Sequence, residues 1–436
     1  MASVPELLAL VDRSGVSRAT DLARLLQVGQ PQVSRLIRAA GSAVARTGKA
    51  RSTRYALTRT VRGLGPALPL HSVDAAGTAR RVGVVHLLAR GRHWFEDAST
   101  GSAALFAGLP PSVQQMGPDG YLGQVFASRN PELGLPSSLA DWSDDDRLVA
   151  LARRGEDCPG ALILGSESLD RYLARTPTPV ERKDYPELAR RSLEAQPLVW
   201  LGGAQPRFGA FCEGRHVLVK FTASDDSVAS RRWRDLLVCE AIALDAVRAS
   251  GLEAPLARAF DAQGSRFLEL ERFDREGTRG RRAVLSLAGV ADLLEGHRES
   301  WTRAAARLHA LGRLSDADAR RVRWLDVFGQ LIGNNRRHLG NLSLRAEPGQ
   351  PFTLAPVHDM LPMFLAPAGS VMHEQSYEPQ LPTAETLDVW PDAARAALGY
   401  WGRIAELGAV SKPLHRIAER CCETLERALL RFAPGG

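Results

Sequence analysis

The sequence predicts an α+β protein in which a small basic module of three helices and a β-hairpin precedes a larger body, strand-rich at first and mostly helical after residue 280. Three observations lead there. Apolar residues recur at helical spacing through residues 4–40 and are followed by an alternating stretch that turns at Gly48. Residues 1–62 hold eleven basic and three acidic side chains, a net +8 against +7 for the whole 436-residue chain, so the remainder is close to neutral. One of only four lysines, Lys220, lies inside an apolar strand pattern.

The length suggests about two to four domains. With 44% hydrophobic and 24% charged residues, the chain has the balance of a globular protein able to bury a core. No apolar run approaches the length of a membrane span, and MASVPELLALVDRSG lacks the basic region and apolar core of a signal peptide, so a cytoplasmic protein without membrane contact is expected. Cys158, Cys212, Cys239, Cys421 and Cys422 form no CxxC pair, which argues against structural zinc and a disulfide framework.

In the first module, Val4, Leu7, Leu8 and Val11 share one helix face, Leu22, Leu25 and Leu26 a second, and Val33, Leu36, Ile37 and Ala40 a third. Gly29 suits the positive φ of the intervening turn, and Pro31 the first turn of the third helix. That helix directs Gln32, Arg35 and Arg38 outward, residue types that read adenine and guanine edges or grip phosphate. Residues 43–58 read as a hairpin with Arg46, Lys49, Arg51 and Arg54 around its tip, suited to lie along a phosphate backbone. Together these resemble a winged helix-turn-helix that binds DNA through residues 1–62; the plainer alternative is a three-helix adaptor with solvated arginines. Paired half-sites would favour a homodimer.

Residues 63–82, rich in Gly and Pro, read as a linker, and 83–185 as a small α+β module without a catalytic constellation. Trp94, Phe95, Phe106 and Tyr121 are residues of the kind that fill cores.

The chemistry concentrates in residues 186–276, read as a small lobe, and 277–436, a helical large lobe. In Arg215–Thr222 the period of two puts Leu218 and Lys220 on one face and Val217, Val219 and Phe221 on the other. A lysine so placed must find an anion. Upstream stands Gly202-Gly203-Ala204-Gln205-Pro206-Arg207-Phe208, a glycine-rich turn whose N–H groups could approach phosphates that the lysine then holds as a point charge. Glu240, on a helix over 236–250, is the candidate partner of Lys220, with a surface carboxylate as the alternative. The strand ending at Glu271 and Phe273 could offer backbone groups to an adenine edge. Asn341 and Asp359, at the ends of strands that could pair, are oxygen donors suited to magnesium.

This ordered set resembles the HipA-like serine/threonine kinase family, a protein-kinase-like bilobal fold, over roughly residues 80–436; with the N-terminal module it resembles the YjjJ branch. The matching residues are GGAQPRF for the nucleotide loop, Lys220 for the strand lysine, Glu240 eleven residues before Gly251, ERFDR for the hinge, and Asn341 and Asp359 for the metal ligands. The resemblance implies ATP and Mg²⁺ as cofactors, phosphorylation of a protein Ser or Thr, and a toxin–antitoxin setting with a protein substrate or antitoxin-like partner.

The chain departs from the family at the catalytic loop, D-x-H-x-x-N, where Arg336 replaces the aspartate that accepts the substrate proton. A guanidinium stays protonated and is no base, so ATP·Mg binding with weak or absent phosphotransfer is expected. His338 is the substitute base, or else a structural hydrogen-bonding residue. Trp200 stands where relatives carry a self-phosphorylated Ser, and Arg207 where they carry Lys. The alternative is a non-catalytic DNA-binding regulator with a pseudokinase interaction module; a nuclease lacks a clustered acidic motif.

Overall fold

The computed structural model describes residues 2–48, 52–117, 120–194, 205–293, 300–347, 349–367 and 376–432. It is a mixed α+β chain in two compact units: Met1–Pro118 with Asn130–Arg175, and Asp119–Arg129 with Thr176–Gly436. No helix among the described residues is long and apolar enough to cross a membrane.

The first unit begins with α1 (Val4–Ser14), α2 (Ala19–Leu25) and α3 (Gln30–Ala40), followed by an antiparallel pair, β1 (Val44–Thr47) and β2 (Arg54–Leu57). Ser3 caps α1 reciprocally with Glu6, and Pro31 sits in the first turn of α3, where its missing N–H costs nothing. Leu7, Leu10, Val11, Leu22 and Val33 form the core against Val44 and Tyr55. Two expectations are corrected. Leu25, at the last residue of α2, is exposed, because the helix stops before that position turns back to the core. Gly29 has φ −71 as the cap of α3, and Gln27, with φ 55, makes the left-handed turn instead.

The stretch expected as a linker contains β3 (Ala67–Val73) and the start of β4 (Ala79–Leu87), which with β5 (His93–Asp97), β6 (Ala103–Phe106) and β7 (Leu162–Leu164) form a sheet ordered β6-β5-β4-β3-β7. Leu68 and Leu70 are buried at a period of two, a register irregularity after Leu70 puts the next buried residue at Val73, and Pro69 lies just outside the residues paired with β7. Beyond α1–α3, this unit contains the helices α4 (Pro111–Gln114), α7 (Asp144–Arg154) and α8 (Ser166–Ala174). Arg59 donates to both Asp145 oxygens at 2.8 and 2.7 Å and to the Leu88 carbonyl, and Arg62 pairs with Asp146. Two of the basic residues counted toward the N-terminal charge are therefore spent on the acidic first turn of α7.

The second unit receives α5 (Gly120–Gln124) and α6 (Phe126–Arg129), then β8 (Pro179–Val180) and α9 (Tyr185–Glu194). A sheet ordered β11-β12-β10-β9-β8 contains β9 (Arg207–Cys212), β10 (Arg215–Phe221), β11 (Ala257–Ala262) and β12 (Ser265–Glu271), with α10 (Val228–Ala249) between β10 and β11 in the chain. One face of β10 (Val217, Val219, Phe221) packs with Tyr185, Phe208 and Phe267, as its period of two requires. After the short pair β13 (Arg275–Glu276) and β14 (Gly280–Arg281) come β15 (Val284–Ser286), α11 (Leu287–Leu293), α12 (Trp301–Ala310), α13 (Asp316–Leu331), β16 (Ser343–Arg345), β17 (Thr353–Leu354), α14 (Trp390–Glu406) and α15 (Lys412–Phe432). The core of this helical part includes Phe328, Trp390, Tyr400 and Trp401, and buries Cys239 and Cys421 as free thiols.

His93 is fully buried, its Nδ1 2.7 Å from the Gly108 carbonyl oxygen. Burial, reinforced by Arg59, pushes its imidazole below the ordinary 6.5. The native state thus holds neutral His93, while the unfolded chain takes up a proton as pH falls below about 6.5, so this contribution is present above that pH and lost below it. Between pH 7.5 and 5.5 the urea midpoint is expected to drop further in the wild type than in His93→Asn; equal drops would contradict this.

Candidate functional site

The site starts from the second face of β10. Lys220, 3% exposed, points away from the Phe-lined core and donates to Glu240 Oε1 at 2.6 Å and Oε2 at 2.8 Å. Glu240 is fully buried on α10, which Ser227 caps and which Asp235 ties to the start of α15 by accepting from Ser411 N at 2.9 Å and Ser411 Oγ at 2.5 Å. Lys220 also contacts Asp359 Oδ1. Three residues 20 and 139 positions apart in sequence thus meet at one ammonium.

Asp359 has φ 56, a left-handed conformation that Asp tolerates better than most residues but that must be held by its surroundings. Asn334 Nδ2 holds it, donating to the Asp359 carbonyl at 3.0 Å. Its side chain is about a quarter exposed, and Oδ2 lies 3.1 Å from His358 Nδ1. The His358 ring stacks on Phe273, centroids 5.8 Å apart, which brings the expected hinge residue beside the expected metal ligand. Burial pushes the Glu240 carboxyl up against the pull of Lys220. Lys220 and His358 hold the Asp359 carboxyl well below the usual carboxylate range, against the burial that works to raise it.

The remaining expected residues are placed as follows. Gln205 is buried, its amide donating to the Phe221 carbonyl and its Oε1 without a partner among the described residues. Gly202, Gly203, Ala204 and Trp200 lie outside the described residues, as do Lys49 and Arg51. Arg207 stands opposite Lys220 across the β9–β10 pair. The Glu271 carboxylate accepts from Arg215 at 3.3 Å, and the Glu271 N–H donates to the Leu256 carbonyl at 3.4 Å. Asn341 precedes β16 and Asp359 follows β17, and the antiparallel pairing of those strands puts both at one end of the sheet. Asn341 Oδ1 accepts from the His338 N–H at 3.3 Å. The strand expected to end at Asp359 stops at Leu354, because Pro356, the turn at Asp359 and Pro362 do not fit extended pairing.

Arg336 is exposed, with no acidic partner among the described residues. The exposed His338 accepts from the Gly340 N–H at Nδ1, 3.1 Å away, the geometry of a residue that shapes its loop.

Sequence reading missed what rigidifies this loop. Asp326, buried on α13, accepts from Thr302 N and Oγ1 at 3.1 and 2.8 Å and from Arg337 Nη2 at 3.1 Å. Arg337 also donates to the Asn334 carbonyl and lies 5.9 Å over Trp301, whose Nε1 donates to the His338 carbonyl. A Cβ at Gly329 would sit 2.6 Å from Arg337 Cδ, so a glycine lets the guanidinium lie against α13. The available signal was an aspartate in the otherwise apolar run around Trp324–Phe328, which must be satisfied when buried.

In Gln32, Arg35, Arg38, Arg46 and Arg54 the first unit carries a polar and basic set that is exposed or half-exposed on α3, β1 and β2. The three acids of residues 1–62 are engaged elsewhere: Glu6 in the α1 cap, Asp12 with Arg90 and Asp21 with Arg24.

Comparison with known proteins adds the following. Residues 64–173 match a family described as YjjJ-like toxin, middle domain, and residues 199–429 match the HipA-like C-terminal domain. The chain is 31% identical over 441 residues to the toxin YjjJ of Escherichia coli K12, covering 98% of each. A chain from the Shewanella oneidensis HipA–HipB–operator DNA complex superposes with a TM-score of 0.50 at 16% identity, covering 84% of this chain and 97% of that one, which is a likeness of fold.

Removing one member of the buried pair should be costly whatever the site binds. Lys220→Met leaves Glu240 buried without a counter-charge and is expected to lower unfolding free energy by about 3–5 kcal/mol, and Lys220→Met/Glu240→Leu to recover most of it. Urea denaturation checks both; a single variant as stable as the wild type would contradict the pairing.

Proposed function

The chain belongs to the YjjJ-like branch of the HipA-like proteins, and from that premise we propose that it is a kinase-fold toxin that binds ATP·Mg in the second unit and duplex DNA through the first, with phosphotransfer weakened or lost at Arg336. The observation that carries the nucleotide reading is Lys220 held between Glu240 and Asp359. A lysine anchored on a buried carboxylate is a fixed point charge for phosphate oxygens, and the sequence Gly202-Gly203-Ala204 is of the glycine-rich type whose backbone N–H groups can approach phosphate. In this reading the end of β12 at Glu271, with Phe273 beside it, would meet the adenine.

The donors available fit magnesium. Asp359 and Asn341 offer hard oxygens, and Mg²⁺ takes one or two protein oxygens with phosphates and water completing its shell. When bound, the ion neutralises phosphate charge; Asp359 and Asn341 would hold it.

The missing part is the base. Arg336 cannot accept the acceptor hydroxyl's proton, and His338 is occupied in its own loop through Nδ1. Loss of general-base assistance costs roughly 10²–10⁴ in rate. Asp326 and Arg337 still support the loop that carries Asn341, so nucleotide binding does not depend on the base. A non-catalytic regulator is the second reading, favoured by the same Arg336.

The DNA reading treats α1–α3 with β1 and β2 as a winged helix-turn-helix. It rests on Arg35, Arg38 and Arg46, which have no acidic partner among the described residues. Gln32, Arg35 and Arg38 would face base edges, with Arg46 and Arg54 on the phosphates and Lys49 and Arg51 in the same tip sequence. The relative solved with HipB and operator DNA supports a protein partner of antitoxin type.

Three experiments test this. ATP with magnesium is expected to raise the melting temperature of the wild type but not of Asp359→Asn, and radiolabelled phosphate transfer to protein is expected to be weak or absent until Arg336→Asp restores it. No stabilisation by nucleotide would overturn the reading; strong wild-type transfer would overturn the role given to Arg336. Duplex DNA affinity should fall steeply with salt, and Arg35→Ala/Arg38→Ala should weaken binding; salt-independent binding, or none, would remove the DNA assignment.

A further inference from the structure

The chain leaves the first unit for eleven residues, Asp119–Arg129, which belong to the second. Within this excursion Tyr121 and Val125, four residues apart on one helical face, are fully buried, while Leu122 faces out. The Tyr121 hydroxyl lies 3.2 Å from the Ser192 carbonyl oxygen and 3.1 Å from Ser192 Oγ. Arg129 Nη2 donates to the same Oγ at 3.1 Å, and Ser192 Oγ donates to the Arg207 carbonyl at 3.5 Å.

Ser192, 1% exposed, therefore gathers a tyrosine, an arginine and a strand carbonyl on one hydroxyl. Its position gives that convergence meaning. Ser192 lies in α9, just before the glycine-rich segment in sequence, and Arg207 opens β9 just after it. Arg207 is also the register partner of Lys220. The hydroxyl thus joins the two stems of that segment, one residue across from the ammonium that would hold phosphate. A tyrosine ring would pack equally well without its hydroxyl, so the hydrogen bonds add placement to what burial already supplies.

We propose that residues 120–129 are a positioning strap for the nucleotide site: by clamping Ser192 they set the spacing of the α9 and β9 stems, and nucleotide affinity depends on that clamp. The strap rests on the reading of Lys220 and its neighbours as a nucleotide site. Tyr121, Arg129 and Ser192 touch no phosphate in this scheme; they act through Arg207 and the backbone around it.

The test uses the full chain and titration calorimetry with Mg·ADP and Mg·ATP. Tyr121→Phe and Ser192→Ala are each expected to weaken binding about three- to tenfold, the equilibrium weight of one hydrogen bond. The double variant should lose much less than the product of the two, because both remove the same clamp. Amide exchange is expected to quicken at residues 205–209 and stay unchanged in α13 and α14. Should either variant fold poorly, Arg129→Gln carries the same test from the exposed end of the strap. Binding by the wild type that is unchanged in the variants would overturn the strap alone. Failure of the wild type to bind nucleotide would overturn the nucleotide reading and the strap with it.

Discussion

A lysine ammonium buried to 3% exposure is the constraint on which the second unit turns. Left unpaired it would cost several kcal/mol. Its pairing requires a helix from one part of the chain and a loop from another, 20 and 139 residues away, to arrive at one atom. Much of the surrounding structure serves that meeting. The Phe-rich face of β10 turns Lys220 inward, the Asp235–Ser411 bonds hold α10 and hence Glu240, and Asn334 keeps Asp359 in its left-handed turn. The asymmetry between the two carboxyls follows from position: Glu240 is sealed in the core, whereas Asp359 keeps an open side and a histidine neighbour.

The same geometry separates holding a nucleotide from using it. In the proposed reading, the groups assigned to phosphate and cation include the mutually bonded Lys220, Glu240 and Asp359, while the position assigned to the base is the exposed Arg336. A substitution at an exposed loop position costs no packing. The lock of Asp326, Arg337 and Trp301 would be lost far less readily, because each partner satisfies another's buried polar group.

Local patterns were legible in the sequence where one element sufficed to define them. The period of two in β10 named the face of Lys220, and Pro31 and Gly48 marked the start of the third helix and the turn of the hairpin. Asp359 and Glu240 were readable as chemical types, and their convergence on Lys220 followed the resemblance rather than any spacing. Contacts between distant elements were opaque. Arg59 and Arg62 counted as free charge until α7 supplied Asp145 and Asp146. Residues 63–82 looked like a linker because Gly and Pro dominate and the buried alternation at Leu68 and Leu70 breaks before Val73. Nothing in the composition of residues 120–129 says that they leave one unit for the other, since Tyr121 would be a core residue in either.

The most direct measurement is a crystal structure of the full chain with magnesium and a non-hydrolysable ATP analogue. The account requires the phosphates within hydrogen-bonding reach of Lys220 Nζ, the ion on Asp359 and Asn341, the adenine against the hinge at Glu271 and Phe273, and Arg336 clear of any base position. A nucleotide bound on another surface, or the Lys220–Glu240–Asp359 cluster unchanged and empty beside saturating nucleotide, would contradict it.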